Sequence, residues 1–327
     1  MTAKLLIPML HFPNKMPEGT IWLMNQNVTL MQITKTDYGP LTADLPRDLY
    51  ELTDRDTGCF YISLPKNWGE LSGLARKALV SRWATIIRFS LHRFMDDSSG
   101  PVQLTFAVEL DEKNNPTLYH LTTVDSSYSP VSKTFILPPE DARPSINNYF
   151  SALFDAAPKL STLIAYERYN SSLFRFSVED KLIDCTISAE SLIGATTELS
   201  YKFSLYLSFV AGNDPLIRQY AFSLLKSMYD ARSKLVHGDP KAGEKLKAVT
   251  QSWSNTLKII LGCLDYYTIH HAKLTSAKSD WIEHLNSLVI GTGIRTTTVC
   301  NDLVLDGIMP SEQSSITQEA VSIAGLS

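Results

Sequence analysis

The chain of 327 residues has only four cysteines, at positions 59, 185, 263 and 300. They lie far apart, and none belongs to a CxxC pair. The sequence therefore shows neither a zinc-binding pattern nor the ladder of spacings typical of a disulfide framework. We expect four buried thiols. No other cluster of ligating residues predicts a metal site, and we expect no cofactor.

Long hydrophobic runs are also absent, since none reaches the roughly 18 to 20 residues that a membrane-spanning helix needs. The best candidate, residues 256–269, is interrupted by Lys258 and Asp265. The first residues, MTAKLLIPML, continue into His11 and Pro13 without the small-residue cleavage site of a signal peptide. We therefore expect a cytoplasmic protein with no membrane partner.

The sequence has no strong excess of basic charge. Its net charge of −4, with 44% apolar and 20% charged residues, is ordinary for a folded chain and argues against indiscriminate coating of nucleic acid. The charge is unevenly spread, because residues 201–260 carry nine Lys or Arg against four Asp or Glu. A basic segment in an acidic protein favours a localised anionic ligand, although a solvated helix face would give the same bias.

The sequence pattern changes along the chain, from mixed strands and helices to helices alone. Residues 1–140 read as a mixed α/β domain, with a helix at 68–95 and strands at 4–10, 28–33, 59–64, 102–110 and 117–123. Four prolines between 130 and 144 mark a boundary. Residues 145–290 then read as an all-α bundle, and residues 309–327 as a polar C-terminal tail. The fold class is therefore α+β, with predicted bundle helices at 145–154, 160–174, 178–193, 198–210, 215–237, 241–271 and 279–289.

The predicted helix at 215–237 has signals at both ends. Asp214 (or Asn213) can cap its first turn and Pro215 occupies an early position, while Gly238 follows its last residue. Its apolar stripe faces the bundle, and Arg232 borders this stripe rather than open water. A guanidinium held there requires an anion.

His237 follows Arg232 by five residues, which is about 140° further around a regular helix. We expect the backbone near the Gly238 cap to depart from helical geometry and bring the two side chains into one solvent-reached cleft. Histidine can take a proton from a ribose 2′-hydroxyl or give one to the leaving oxygen, while arginine balances the charge on the phosphorane. This pair is a minimal set for metal-independent cleavage of RNA.

The surrounding sequence carries a resemblance. Residues 229–238, YDARSKLVHG, resemble the signature of HEPN domains of the Apea-like kind. Residues 179–193, EDKLIDCTISAESLI, are similar to the preceding helix of that family, and residues 198–208, ELSYKFSLYLS, to the helix between the two.

The resemblance implies a HEPN-type helical bundle and a metal-independent endoribonuclease in which Arg232 and His237 are catalytic. It also implies a homodimer whose two pairs line one cleft, and a role as a toxin or antiviral defence effector. Asp184 and Glu190 stand at the acidic positions of the family's preceding helix. The domain at 1–140 would then be a sensor or regulator that binds a ligand or a protein partner.

Four residues are supporting candidates, each with a plainer alternative. Asp184 and Glu190 could orient Arg232 or position substrate, or be purely structural carboxylates. Ser233 suits a cleft, but could simply face solvent. Tyr229 could stack on a base, whereas core packing is the more usual role.

Other patterns favour structure over chemistry. We interpret Arg88 and His92, a second Arg/His pair, as structural, and adjacent His270 and His271 as a poor metal site because they face different directions. The glycines of residues 291–293 predict a turn rather than a nucleotide loop. Two rival readings of the whole chain remain: a catalytically inactive HEPN module that binds RNA, a nucleotide or a protein, and a structural scaffold in which Arg232 is paired and His237 buried.

Overall fold

The computed structural model describes residues 4–8, 21–33, 57–92, 102, 104, 106–110, 116–121, 140–156, 163–193, 199–273 and 278–291. The predicted tail at 309–327, Cys300 and the second glycine of the 291–293 turn lie outside these residues. The chain divides into two compact units, Met1–Ala157 and Pro158–Ser327. An antiparallel sheet with helices in the first unit and helices in the second make the protein α+β.

The first unit contains a sheet in which every paired strand is antiparallel, in the order β2-β3-β4-β1-β5-β6. Its strands are β1 (Lys4–Pro8), β2 (Ile21–Asn25), β3 (Val28–Ile33), β4 (Thr57–Ser63), β5 (Phe106–Leu110) and β6 (Pro116–His120). Strand β2 was not predicted from the sequence. The pattern typical of a strand is present in it, because Trp22 is buried, Leu23 is exposed and Met24 is buried. Asn25 then closes the hairpin, because its side-chain oxygen accepts from the backbone N–H groups of Asn27 and Val28.

Two helices complete the first unit, α1 (Gly73–His92) and α2 (Arg143–Ala156). The sequence assigns the second of these to the bundle. In the structure α2 instead packs against α1 and β2, and Asn147 both accepts from Trp22 Nε1 and donates to the Leu23 carbonyl. The unit boundary therefore falls after Ala157 rather than in the proline-rich stretch.

Arg88 and His92 serve the first unit structurally, in agreement with the sequence interpretation. Both are buried. Arg88 Nη2 donates to the Leu104 carbonyl, and His92 Nε2 accepts from the Val102 backbone N–H at 2.8 Å. The pair holds residues 102 and 104, which precede β5, against α1.

A buried carboxylate interrupts the apolar face of the sheet. Glu109 of β5 accepts from Trp68 Nε1 at 2.7 Å, from Arg76 Nη1 at 3.4 Å and from the Tyr119 hydroxyl. Burial, followed by the hydrogen bond to Glu109, raises the pKa of Tyr119 to about 12. These three donors provide the hydrogen bonds that the buried carboxylate needs. They also hold the turn before α1 against the sheet.

The second unit consists of seven α-helices within the described residues. They are α3 (Ile164–Phe174), α4 (Val178–Ile193), α5 (Leu199–Ala211), α6 (Pro215–Val236), α7 (Ala242–Thr250), α8 (Trp253–Lys273) and α9 (Lys278–Ile290). Helices α4, α5, α6 and α8 pack around one core, while α3 lies on α4, α7 on α6 and α9 on α5. No described helix is long and apolar enough to cross a membrane.

The helix predicted at 241–271 is in fact two helices, α7 and α8. Thr250, Gln251 and Ser252 are polar residues that compete for backbone hydrogen bonds, and the Ser252 N–H bonds to the Val249 carbonyl in a turn. This break lets the short α7 pack along α6 at the end where the site residues lie.

Candidate active site

The ends of α6 are capped as the sequence predicts. Asp214 accepts from the backbone N–H groups of Leu216 at 2.7 Å and Ile217 at 3.4 Å. At the other end Gly238 adopts a φ of 67°, which favours glycine, and the Asp239 N–H returns to the Lys234 carbonyl at 2.9 Å. The Gly238 conformation and this bond form a Schellman motif, which fixes the position of the last turn of α6.

His237 lies at the C-terminal cap of α6 with its side chain exposed to solvent. Its backbone N–H still bonds to the Ser233 carbonyl at 3.1 Å, and its φ and ψ are −90° and 1°. Helix α6 ends at Val236, and His237 departs from helical dihedral angles while keeping this hydrogen bond. Regular helical geometry continued through His237 would place the two residues about 140° apart around α6.

Arg232 lies at the seam between α6 and α4, with 25% of its side chain exposed. Its Nη2 is 3.8 Å from Glu190 Oε2, which is an ion pair longer than a hydrogen bond. Its Nε is buried and has no hydrogen-bond partner among the described residues. The guanidinium thus keeps donors unused in a place where water reaches it poorly.

Other arginines of the second unit are bound more closely. Arg168 and Arg175 bond to Asp184 at 2.9 and 2.6 Å, and Arg218 Nε donates to the Gly212 carbonyl at 2.8 Å. Arg232 differs from these three because its ion pair is long and its buried Nε is unbonded, a state of Nε that it shares with Arg76, Arg88 and Arg143 of the first unit. A partly buried cation in this state is suited to receive an anion from outside.

The two carboxylates of α4 have different partners. Asp184 is almost fully buried, and it binds Arg168 and Arg175 rather than Arg232. Asp184 could have oriented Arg232, positioned substrate or been purely structural. These contacts favour the structural role. Glu190, six residues later and on another face of α4, is the one that reaches Arg232. The pairing of Asp184 with Arg168 of α3 and with Arg175, the extended residue that follows α3, was not predicted.

Tyr229 and Ser233 lie beside Arg232 on α6, both half-buried. The Tyr229 ring packs on Phe203 of α5 at 5.5 Å between centroids. Burial, followed by the nearby Glu190 charge, raises the pKa of Tyr229. The Ser233 carbonyl accepts from His237, so Ser233 supports the last turn through its backbone.

The histidines of α8 and α9 form a ring cluster rather than a metal site. His270 stacks on His284 at 4.3 Å, and the Tyr266 hydroxyl is 2.8 Å from His284 Nε2. Among the described residues, no group of three His, Cys, Asp or Glu could hold a metal ion. The side chain of His271 lies outside the described residues, and so does the prediction that His270 and His271 face different directions.

Comparisons with models of protein families, with curated proteins and with solved structures found no match for this chain.

Proposed function

We propose that the second unit is an RNA-binding endoribonuclease domain of HEPN type, in which Arg232 binds the scissile phosphate and His237 transfers protons. The observation that carries the proposal is the state of Arg232. It is three-quarters buried, it has only a 3.8 Å ion pair to Glu190, and its Nε lacks a partner among the described residues. A phosphodiester supplies the anionic oxygens that such a guanidinium binds in a bidentate manner.

The reaction would follow from proton transfer and charge stabilisation. A neutral His237 takes the proton from a ribose 2′-hydroxyl, and the 2′-oxygen forms a bond to phosphorus. The bond from phosphorus to the 5′-oxygen breaks, and that oxygen takes a proton from a protonated His237. Arg232 stabilises the charge on the phosphorane. The products are a 2′,3′-cyclic phosphate and a 5′-hydroxyl.

The separation of Arg232 and His237 around α6 favours a homodimer in this proposal. Because regular helical geometry would separate the pair by about 140° in one chain, we propose that one active site combines Arg232 of one subunit with His237 of the other. His237 is exposed and therefore accessible to a second subunit.

The first unit would act as a sensor or regulator that binds a ligand or a protein, and the whole protein as a toxin or antiviral effector.

The test is incubation of the purified protein with mixed RNA in EDTA. We expect cleavage that leaves a 2′,3′-cyclic phosphate, with DNA untouched because it lacks the 2′-hydroxyl. His237→Ala and Arg232→Ala should each lower the rate by about 10² to 10⁴. Arg82→Ala, at a half-buried arginine of α1, is the matched control and should cleave like the wild type.

Two outcomes contradict this mechanism. If the protein binds RNA but leaves it intact in both EDTA and Mg²⁺, the unit is a catalytically inactive binding module. If cleavage persists in both variants, the active site lies elsewhere.

A further inference from the structure

Three side chains of α6 recur at seven-residue intervals on one partly exposed face. They are Phe222, Tyr229 and Val236, and successive members differ in direction by only about 20°. Tyr201 of α5 extends the row, because its ring meets that of Phe222 edge to face at 6.1 Å. We call Tyr201, Phe222 and Tyr229 the aromatic strip.

The rings of the aromatic strip are accessible to different extents but are fixed in position. Tyr201 is 59% exposed, whereas Phe222 and Tyr229 are half-buried. Tyr229 is held from behind by Phe203, which is itself almost fully buried. Rings held in this way lose little conformational entropy when a flat ligand stacks on them.

Cations border the aromatic strip. Arg232 lies between Tyr229 and Val236, and Lys226 is exposed one turn beyond Phe222. Within the described residues, the acidic neighbours are Asp230, which is half-buried, and Glu190, whose carboxylate acts on both Arg232 and Tyr229. Aromatic faces alternating with cations are the combination that binds single-stranded nucleic acid, the rings for bases and the cations for phosphates.

The intervening positions of the same face argue against a second helix as the occupant. A helix that packs along α6 would need apolar residues at alternating intervals of three and four. Those positions hold Gln219, Lys226 and Ser233, so only every second one of the required positions is apolar. A nucleic acid strand fits this spacing, because its bases contact the rings and its backbone contacts the polar positions between them.

We propose that the aromatic strip is a base-stacking subsite, so that the ligand of the second unit is single-stranded RNA with unpaired bases next to the phosphate at Arg232. This inference rests on the proposed function and deepens it. Phe222 lies ten residues from Arg232, or about 15 Å along the helix. A base on Tyr201 and Phe222 therefore belongs to a nucleotide a few positions from the phosphate at Arg232.

The experiment measures binding of the full chain to a labelled, 2′-O-methylated RNA of roughly 12 nucleotides, single-stranded or annealed to its complement. Tyr201→Ser should weaken binding of the single strand about 5- to 100-fold, the usual effect of losing one stacked base. Binding of the duplex should not change. Tyr201→Trp should restore the affinity, because tryptophan offers a larger stacking face. Leu216→Ser removes a comparably exposed apolar side chain at the far end of α6 and should bind like the wild type.

Sedimentation of each variant is measured alongside. The inference is overturned if Tyr201→Ser binds the single strand as the wild type does, if it weakens single strand and duplex equally, or if Tyr201→Trp fails to restore binding. A dimer that dissociates on Tyr201→Ser would assign the strip to a second copy of the chain instead. If the wild-type protein binds no RNA, both the proposed function and this inference are wrong. If the wild-type protein binds RNA and substitution of Tyr201 leaves the affinity unchanged, only this inference is wrong.

Discussion

Single side chains of α4 show how two similar residues acquire different roles. Asp184 is 2% exposed and accepts short hydrogen bonds from Arg168 of α3 and from Arg175, the residue that follows α3. Glu190 is 22% exposed and lies 3.8 Å from Arg232. Asp184 therefore joins two helices, whereas Glu190 only restrains a cation that we propose to bind RNA.

This difference predicts different costs of substitution. Asp184→Asn should lower the free energy of unfolding by about 1–3 kcal/mol, because it weakens two charge-assisted hydrogen bonds at a buried position. Glu190→Gln should change it by less than about 1 kcal/mol, since that ion pair is long and partly exposed. Urea denaturation followed by circular dichroism measures both. Equal losses in the two variants would contradict the distinction.

Among the helices, α9 packs on α4 and α8 through a buried tryptophan and a partly buried histidine. Trp281 Nε1 donates to the Leu192 carbonyl of α4, and His284 packs between Tyr266 and His270 of α8. Burial lowers the pKa of His284. Because the folded state holds the proton less readily than the unfolded state, acid favours the unfolded state.

We therefore expect the free energy of unfolding to decrease as the pH falls below about 6.5, the ordinary pKa of histidine. His284→Gln keeps an acceptor for the Tyr266 hydroxyl but does not titrate, so it should lose less stability than the wild type between about pH 7 and about pH 5. Thermal denaturation at the two pH values measures the difference. Parallel losses in both proteins would show that His284 does not cause the pH dependence.

For the whole molecule, the division into Met1–Ala157 and Pro158–Ser327 gives each unit its own buried core. A unit with its own core is expected to fold by itself. Residues 158–327 expressed alone should give a helical spectrum and one cooperative thermal transition, and should retain RNA binding if the first unit only regulates. A fragment without a cooperative transition would show that the second unit depends on the first.

Local patterns in the sequence determined much of the second unit. The bounds of α4 match the prediction at 178–193, and both caps of α6 were identified from Asp214, Pro215 and Gly238. These features depend on hydrogen bonds between residues close in the chain, which one sequence displays directly. The position of Arg232 at the edge of an apolar stripe follows from helical periodicity in the same way.

Only the tertiary structure decided which elements and side chains meet. The sequence pattern of residues 145–154 predicts a helix but does not say which unit that helix joins. The contact of Asn147 with Trp22, which is far away in sequence, places it on the sheet of the first unit. Asp184 could have faced any of several arginines, and its binding of Arg168 and Arg175 depends on how α3 lies on α4. The aromatic strip likewise needs Tyr201 of α5 to meet Phe222 of α6. A single sequence encodes such long-range choices only through the packing of the whole core, and no local pattern reports them.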